Sequence, residues 1–499
     1  MSDPAELPEE LFNLVVRNLF DRYNEGGIRY RQREWSKSDI QQLHSYSLVS
    51  KRWHTRFAAV LYSHFDLLFA HCEDASRPEF WLFLRTIIEN QGLARLITHV
   101  RLHDPRRRAL MDWEYVWKQC EPVIIEAARR IRLPKRDVGS LKHPGRMASC
   151  IKVFLASVPN MKYLSIALPY TNDFMGFIFD QESGQAAHSH VSNLEEVSFH
   201  CELDSPYWRG STRPLSTSSW KINPRSLSPI LGSPSARRLT LILDEEIPLQ
   251  QLIKVNITCS KQGSTVTDMA LFSKGGFLSI TACRSVLEMF KNLTSLVLQF
   301  GTEYLQRRAG PGDPDGATNR SISILLSDLC PNLEMLDYHN SSEAGSDTSF
   351  FGSFRVFARL QRLRIQLKTI GLALPNDENN RDFANQTFPS TLQSLALSIH
   401  RDGTWNGLSE ASIGLVIARL RRLIEDKVSF PNLTWFIIIH EASWPGRQSD
   451  RLTQQMKDIC SRNGVILSQS ESYYWPRRPH PGDRTVEESA QDIHDGILY

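Results

Sequence analysis

Apolar residues recur at one short spacing along most of the chain beyond residue 150. The spacing has the form N-L-x-x-L-x-L, so apolar and polar positions alternate at the end of each copy. Such alternation predicts a short β-strand with one buried face. Eight segments follow this form fully or in part: PNMKYLSI (159–166), SNLEEVSF (192–199), ARRLTLIL (236–243), KNLTSLVL (291–298), PNLEMLDY (331–338), LQRLRIQL (360–367), STLQSLAL (390–397) and PNLTWFII (431–438).

Helical runs often precede these strands, as in RSVLEMF before KNL and ISILLSDLC before PNL. Each helix–strand unit presents an apolar face that only its neighbours can cover. The pattern therefore predicts an α/β fold, an irregular leucine-rich-repeat helix–strand solenoid stacked as a right-handed curve. Uneven spacing favours an irregular array, since the second apolar anchors fall at Leu296, Leu336, Leu363 and Leu395. An ordinary α/β domain with parallel strands is the alternative.

The first 65 residues follow a helical period instead. Pro8 stands at a first helical turn, and apolar residues spaced three or four apart follow it. Polar residues at 20–41 interrupt this stripe and predict an insertion, after which the helical period resumes from Asp39 and extends through Phe65. Further on, the pattern predicts a helix over 77–92, a strand through Leu96–Leu102 and a helix over 112–132.

These patterns divide the chain into four parts. Residues 1–65 are a small all-helical module, and 66–150 are a helical linker with the first solenoid strand. Residues 151–470 are the solenoid, interrupted by a Ser-, Pro- and Arg-rich stretch at 205–235 that predicts a mobile loop. Residues 471–499 are Pro-rich and then acidic, which predicts a disordered tail.

Composition agrees with a folded chain and limits its surroundings. Hydrophobic residues make up 41% and charged residues 23%, as in globular proteins. A net charge of +3 is small for 499 residues and gives no general case for nucleic-acid binding. The eight cysteines are scattered without a CxxC pair, which predicts buried thiols in a reducing compartment and neither disulfides nor zinc. No secretory signal or long apolar run is apparent, so we expect an intracellular protein of the cytoplasm or nucleus, with no membrane partner.

Motifs of catalysis and metal binding are absent from the sequence. It has no GxxxxGK phosphate loop, no HExxH, no GxSxG and no GxGxxG after a strand. The one close histidine pair, His188 and His190, falls in a predicted loop, where solvation explains it better than a metal. The basic clusters at 104–110 and 127–136 lack the interleaved aromatic residues of a nucleic-acid surface, and we interpret them as an exposed face, one that an acidic partner would suit. We therefore expect no enzyme activity, no metal, no cofactor and no nucleic-acid partner.

Two N-terminal segments resemble the F-box. LPEELFNLVVRNL (7–19) matches its Leu-Pro-x-Glu-Leu start, and LHSYSLVSKRWH (43–54) matches its Lys-Arg-Trp end. An F-box followed by N-L-x-x-L-x-L units is similar to the leucine-rich-repeat F-box proteins, particularly the divergent set of filamentous fungi. The chain departs from the F-box pattern in its long 20–41 connection and in Ser50, which replaces the common Cys.

The resemblance implies a substrate-receptor subunit of an SCF-type cullin–RING ubiquitin ligase. In that family the F-box docks the adaptor subunit, which joins it to the cullin, and the repeats bind a protein substrate. A Leu-Pro start followed by an apolar strip also offers more apolar surface than about sixty residues can bury. Leu7, Pro8 and Leu11 would carry most of the contact, and Trp53 would pack the F-box helices. The adaptor-binding residues that the resemblance implies are Leu7, Pro8, Leu11, Phe12, Val15, Leu19, Leu43, Val49 and Trp53.

A candidate substrate surface follows from strand alternation. The leucines of N-L-x-x-L-x-L face the interior, so the residues between them face the concave surface. Aromatic and arginine side chains dominate binding hot spots, which makes Arg362, Arg364 and Trp435 the predicted substrate anchors. In the alternative interpretation, the final helix, strand and tail cover Trp435 and Ile437. The outward set is Tyr163, Ser165, Glu196, Ser198, Ser295, Val297, Met335, Asp337, Arg362, Arg364, Trp435 and Ile437.

Two other functions stay open beside the receptor. A leucine-rich interaction scaffold outside the ligase would use F-box-like helices only to cap its first repeat. A nucleic-acid-binding protein would use the basic residues of 104–136. The sequence names no substrate for any of the three.

Overall fold

Contacts divide the chain into two compact units. We call the residues within 42–292 the N-terminal unit and those within 293–499 the C-terminal unit. The computed structural model describes residues 45, 48, 54, 57, 61–67, 79–103, 114–142, 147–167, 193–200, 235–243, 264–273, 280–300, 318–340, 350–370, 383–399, 410–441 and 447–472.

The N-terminal unit is α/β, and six parallel strands form the sheet of its described part. Each strand pairs with the strands that precede and follow it in sequence. Because the strands are parallel, all of them begin at the same end of the sheet. The strands are β1 His64–Leu67, β2 His99–His103, β3 Tyr163–Ala167, β4 Glu196–His200, β5 Arg238–Leu243 and β6 Asp268–Ser273. The helices are α1 Glu79–Glu89, α2 Gln91–Ala94, α3 Glu114–Arg130, α4 Lys135–Ser140, α5 Met147–Ser157 and α6 Ile280–Leu287.

The C-terminal unit repeats this plan in its described part, again with six sequential parallel strands. Short 3-10 turns lie at Phe354–Val356 and Leu367–Ile370. The strands are β7 Ser295–Phe300, β8 Met335–Asn340, β9 Arg362–Gln366, β10 Ser394–Ile399, β11 Trp435–Glu441 and β12 Ile466–Ser472. The helices are α7 Asn319–Leu329, α8 Phe383–Thr387, α9 Glu410–Glu425 and α10 Arg447–Arg462.

The predicted α/β class is confirmed, and all eight sequence segments contain a strand. Two strands escaped prediction. β6 belongs to the spacing Val266, Met269 and Leu271, in which Val and Met stand for the usual leucines. The predicted helical period through Phe65 is wrong at its end, because His64–Leu67 is strand β1. The ring centroid of Phe65 lies 4.7 Å from that of Phe83 in α1 and 4.5 Å from that of Phe154 in α5. This tertiary packing favours a strand here despite the helical spacing of the preceding residues.

The strand register aligns one apolar residue per strand into rows across each sheet. In the C-terminal unit five residues of one such row are at most 1% exposed, and each buried side chain of this size contributes roughly 1.5–3 kcal/mol. We call the strand face that carries these rows the inner face. The five residues are Leu296, Leu336, Leu363, Leu395 and Phe436, and the half-buried Leu467 of β12 completes the row.

In six of the repeats, the polar residue before the first apolar anchor joins its repeat to the preceding one. The side-chain nitrogen of Asn292 donates to the Ser264 carbonyl at 2.9 Å, and the Thr391 hydroxyl donates to the Leu360 carbonyl at 2.7 Å. The frequent Asn, Ser or Thr ahead of the apolar anchor therefore satisfies a backbone carbonyl of the preceding repeat. The same side-chain bond is made by Asn160, Asn193, Ser235 and Thr265.

Cysteines in the described part of the chain are free and buried, which confirms the buried-thiol prediction for those five. Burial raises the pKa of the thiols of Cys150, Cys283, Cys330 and Cys460 to about 12. Within the described ranges, none of the helices combines the length and apolar character of a bilayer span. The five thiols are Cys120, Cys150, Cys283, Cys330 and Cys460.

Candidate binding face

The strand face opposite the inner face carries the predicted substrate anchors, and we call it the outer face. In the C-terminal unit, the register places the first outer residue of each strand in one row. All of these residues are half-buried except Ser394, which is buried. This first outer row consists of Ser295, Met335, Arg362, Ser394, Trp435 and Ile466.

Arg362 and Trp435 belong to this row, separated by one strand that carries Ser394. Two strand spacings place their Cα atoms about 10 Å apart. Neither side chain has a hydrogen bond or an ion pair with another part of the chain that the structure describes. The predicted outward orientation of both residues is therefore consistent with a surface that can receive a ligand.

Arg364 lies in the second outer row, two residues after Arg362, and forms an ion pair within the chain. Its Nη1 is 3.3 Å from Oδ2 of Asp337, whose side chain is only 7% exposed. The Gln299 amide donates to the same oxygen at 3.0 Å. These bonds compensate the burial of the aspartate, so Arg364 stabilises the sheet rather than offering a free charge.

The second outer row differs from the first because most of it is covered. Asp337 and Ser468 are buried, and Ile437 is 0% exposed within an apolar cluster with Ala396 and Ile439. The alternation of faces was predicted correctly, but Ile437 is buried on its face. Trp435, two residues earlier, is half-buried.

The third outer row continues as a buried polar network. Gln366 Nε2 lies 3.0 Å from His339 Nε2, and its Oε1 accepts from the backbone N–H of Asn340 at 3.1 Å. The accessible side chains on this face of the described C-terminal unit are therefore mainly those of the first outer row, and Val297 and Arg364 of the second row are also half-buried.

The N-terminal unit carries a row of ionisable residues at the matching position of its outer face. The register aligns His99, Tyr163, Glu196, Arg238 and Asp268. The His99 ring packs against Tyr163, with ring centroids 5.8 Å apart. Arg238 Nη1 lies 3.8 Å from Oε2 of Glu196. Glu196 faces outward as predicted, whereas Tyr163 is buried.

Burial dominates the electrostatics of this row. It raises the pKa of Glu196 to about 7, against the opposing effect of the Arg238 guanidinium, while Asp268 and Glu195 add to the rise. Burial also lowers the pKa of His99, helped by the nearby charges of Arg101 and Lys162. These pKa shifts could not be predicted from the sequence, because they depend on which strands are neighbours.

The nine residues implied to bind the adaptor lie outside the described residues. The same holds for the insertion at 20–41, the histidine pair, the basic cluster at 104–110 and the predicted tail at 471–499, except that residues 471 and 472 are described and end strand β12. Near the predicted docking segment, Phe57 is buried in a helix, while Leu48 is 69% exposed. The burial of Phe57 in a helix agrees with the helical period predicted from Asp39 onward, whereas Leu48 lies in a turn.

The second basic cluster is described and begins at the end of α3. Arg129 and Arg130 are exposed in its last turn, and Arg132 follows with a backbone φ of 57°. The backbone N–H of Leu133 donates to the Ala128 carbonyl at 2.9 Å, which closes the helix. Basic side chains at a helix C-terminus stabilise the helix through its dipole, so Arg129 and Arg130 have a structural explanation.

Comparisons with known proteins add no relative. A scan against protein-family models finds no match, and a search of curated proteins finds none either.

Proposed function

We propose that the chain is the substrate-receptor subunit of an SCF-type cullin–RING ubiquitin ligase. The observation that carries this proposal is the pair of F-box-like segments at 7–19 and 43–54, followed by leucine-patterned repeats. The sequential parallel strands and their buried apolar rows support the second half of that pairing, because a leucine-rich-repeat solenoid requires both.

The receptor has no bond chemistry of its own in this proposal. The F-box holds the chain to the adaptor and thereby to the cullin, in the intracellular space. The outer strand face holds a protein substrate close to the ubiquitin thioester of another subunit. Its contribution is the raised effective concentration of a substrate lysine at that thioester.

Affinity purification with mass spectrometry tests the proposal. The tagged full-length chain is expected to recover the adaptor and the cullin. Leu7→Asp and Pro8→Ala are each expected to lose both proteins, because they remove apolar contact from the proposed docking helix. Val428→Asp is the matched control, since Val428 is 94% exposed in the C-terminal unit.

The outcomes separate the two leading hypotheses. Absence of the adaptor and cullin from the wild-type purification would contradict the proposal and favour an interaction scaffold outside the ligase. Recovery that persists in Leu7→Asp would contradict the placement of the contact on the first F-box-like helix.

A further inference from the structure

We propose that the first outer row of the C-terminal unit binds an extended acidic peptide segment that carries an apolar side chain. In this arrangement Arg362 pairs with a carboxylate of the segment, and Trp435 packs against the apolar side chain. The inference rests on the proposed receptor function and assigns a substrate class to its outer face.

Charge is the first observation that carries this proposal. Arg362 is the only charged side chain of the row. The two arginines that flank it in sequence are paired within the chain: Arg359 Nη2 lies 3.2 Å from Glu334 Oε1, and Arg364 Nη1 lies 3.3 Å from Asp337 Oδ2. One positive charge therefore remains on the row, and a carboxylate complements it.

Accessibility is the second observation. The first row is half-buried except for Ser394, while Ala396 and Ile437 of the second row are buried. Between Arg362 and Trp435 a ligand therefore reaches mainly the first row, because the half-buried Arg364 of the second row is paired with Asp337. Half-buried side chains are also restrained by their neighbours, so less rotamer freedom is lost when a ligand binds.

Dimensions define the peptide. Six strands at about 4.8 Å spacing give a row about 24 Å long, which matches roughly seven to eight residues of polyproline II chain at about 3.1 Å each. Arg362 and Trp435 are about 10 Å apart along the row, which corresponds to about three residues of such a chain, whose side chains return to the same face every third residue. The expected motif therefore has Asp or Glu three positions from a large apolar residue.

A randomised seven-residue peptide library, displayed on phage and selected on the full-length chain, tests this inference. We expect enrichment of Asp or Glu three positions from Leu, Ile, Phe or Trp, in either chain direction. A synthetic peptide of the enriched sequence should bind Arg362→Gln and Trp435→Ala about tenfold more weakly than the wild type. Arg421→Gln, an exposed arginine of α9, is the matched control and should bind normally.

A charge reversal makes the test specific. Arg362→Glu should select Lys or Arg in place of the acidic residue, while the apolar preference stays unchanged. A failure to enrich any motif, enrichment without an acidic residue, or affinity unchanged in Arg362→Gln would each overturn the inference. Adaptor recovery by the same variants reports on the proposed function separately, because it depends on residues 7–54.

Discussion

At the scale of single residues, Arg132 holds the least favourable backbone geometry among the described non-glycine residues. Its φ of 57° lies in the left-handed region, where a Cβ atom costs about 1 kcal/mol. Arg132→Gly should therefore raise the free energy of unfolding by roughly 0.5–1 kcal/mol. Arg130→Gly, inside the last turn of α3, should lower it by a similar amount. Urea denaturation measures both, and a stability loss in Arg132→Gly would contradict the account of this helix end.

Glu196 provides a pH dependence at the same scale. Its pKa is raised from 4.5 to about 7 in the folded chain, so the folded state holds the proton more tightly than the unfolded state. The stability that this proton contributes is present below about pH 4.5 and is lost as the pH rises through about 7. The loss is on the order of 3 kcal/mol, because each pKa unit corresponds to about 1.4 kcal/mol.

Denaturation curves across this pH window measure the effect. Glu196→Gln should flatten the decline in stability between pH 4.5 and 7, since the amide does not ionise. The matched change in its exposed neighbour, Glu195→Gln, should leave the decline nearly intact. Equal flattening by the two variants would show that burial of Glu196 is not its cause.

At the scale of elements, a buried polar bridge joins α7 to β8. Oδ1 of Asn319, the first residue of α7, accepts from the Tyr338 hydroxyl at 2.8 Å and from the Asn340 amide at 3.1 Å. All three residues are buried. The bridge therefore fixes the start of the helix against the strand that follows it, with two hydrogen bonds to one acceptor.

Asn319→Ala should lower the free energy of unfolding by about 2–4 kcal/mol, because it removes the acceptor of two buried donors. Tyr338→Phe should lower the free energy of unfolding by only about 1 kcal/mol, because it removes the hydroxyl donor itself and leaves no buried donor without an acceptor. The double variant should cost less than the sum of the single ones. Strict additivity in urea denaturation would contradict a shared bridge.

The elements themselves were largely predictable from the sequence. Strand positions followed from the L-x-x-L-x-L spacing, because an inner row needs one apolar residue at every second position. β6 was missed because Met269 and Val266 replace leucines in the same spacing, and a search for any apolar residue would have found it. β1 was missed because the helical period of the preceding residues extends to Phe65, and only its ring contacts with α1 and α5 decide otherwise.

The candidate site was predictable only in part. Alternation placed Arg362, Arg364 and Trp435 on the outer face, and the strand register supports that placement. It could not show that Asp337 neutralises Arg364, because that ion pair joins adjacent repeats 27 residues apart. Nor could it show that Ile437 is buried, since exposure on the outer face depends on contacts across the whole unit.

At the scale of the whole molecule, each unit places its strands in sequence order and in parallel, with apolar rows on the inner face. Such an arrangement allows repeats of unequal length, because each repeat must match only its neighbours. It also presents one outer residue per strand in a row, which suits recognition of an extended segment. In the function that we propose, the N-terminal F-box-like residues dock the adaptor, and a strand row recognises the substrate.

Direct binding of the purified full-length chain to the purified adaptor tests this central claim most directly. Isothermal titration calorimetry is expected to give a one-to-one complex with the wild type and with Val428→Asp, and at least tenfold weaker binding with Leu7→Asp. Circular dichroism should show that both variants stay folded. No binding by the wild-type chain, or equal binding by Leu7→Asp, would contradict the account.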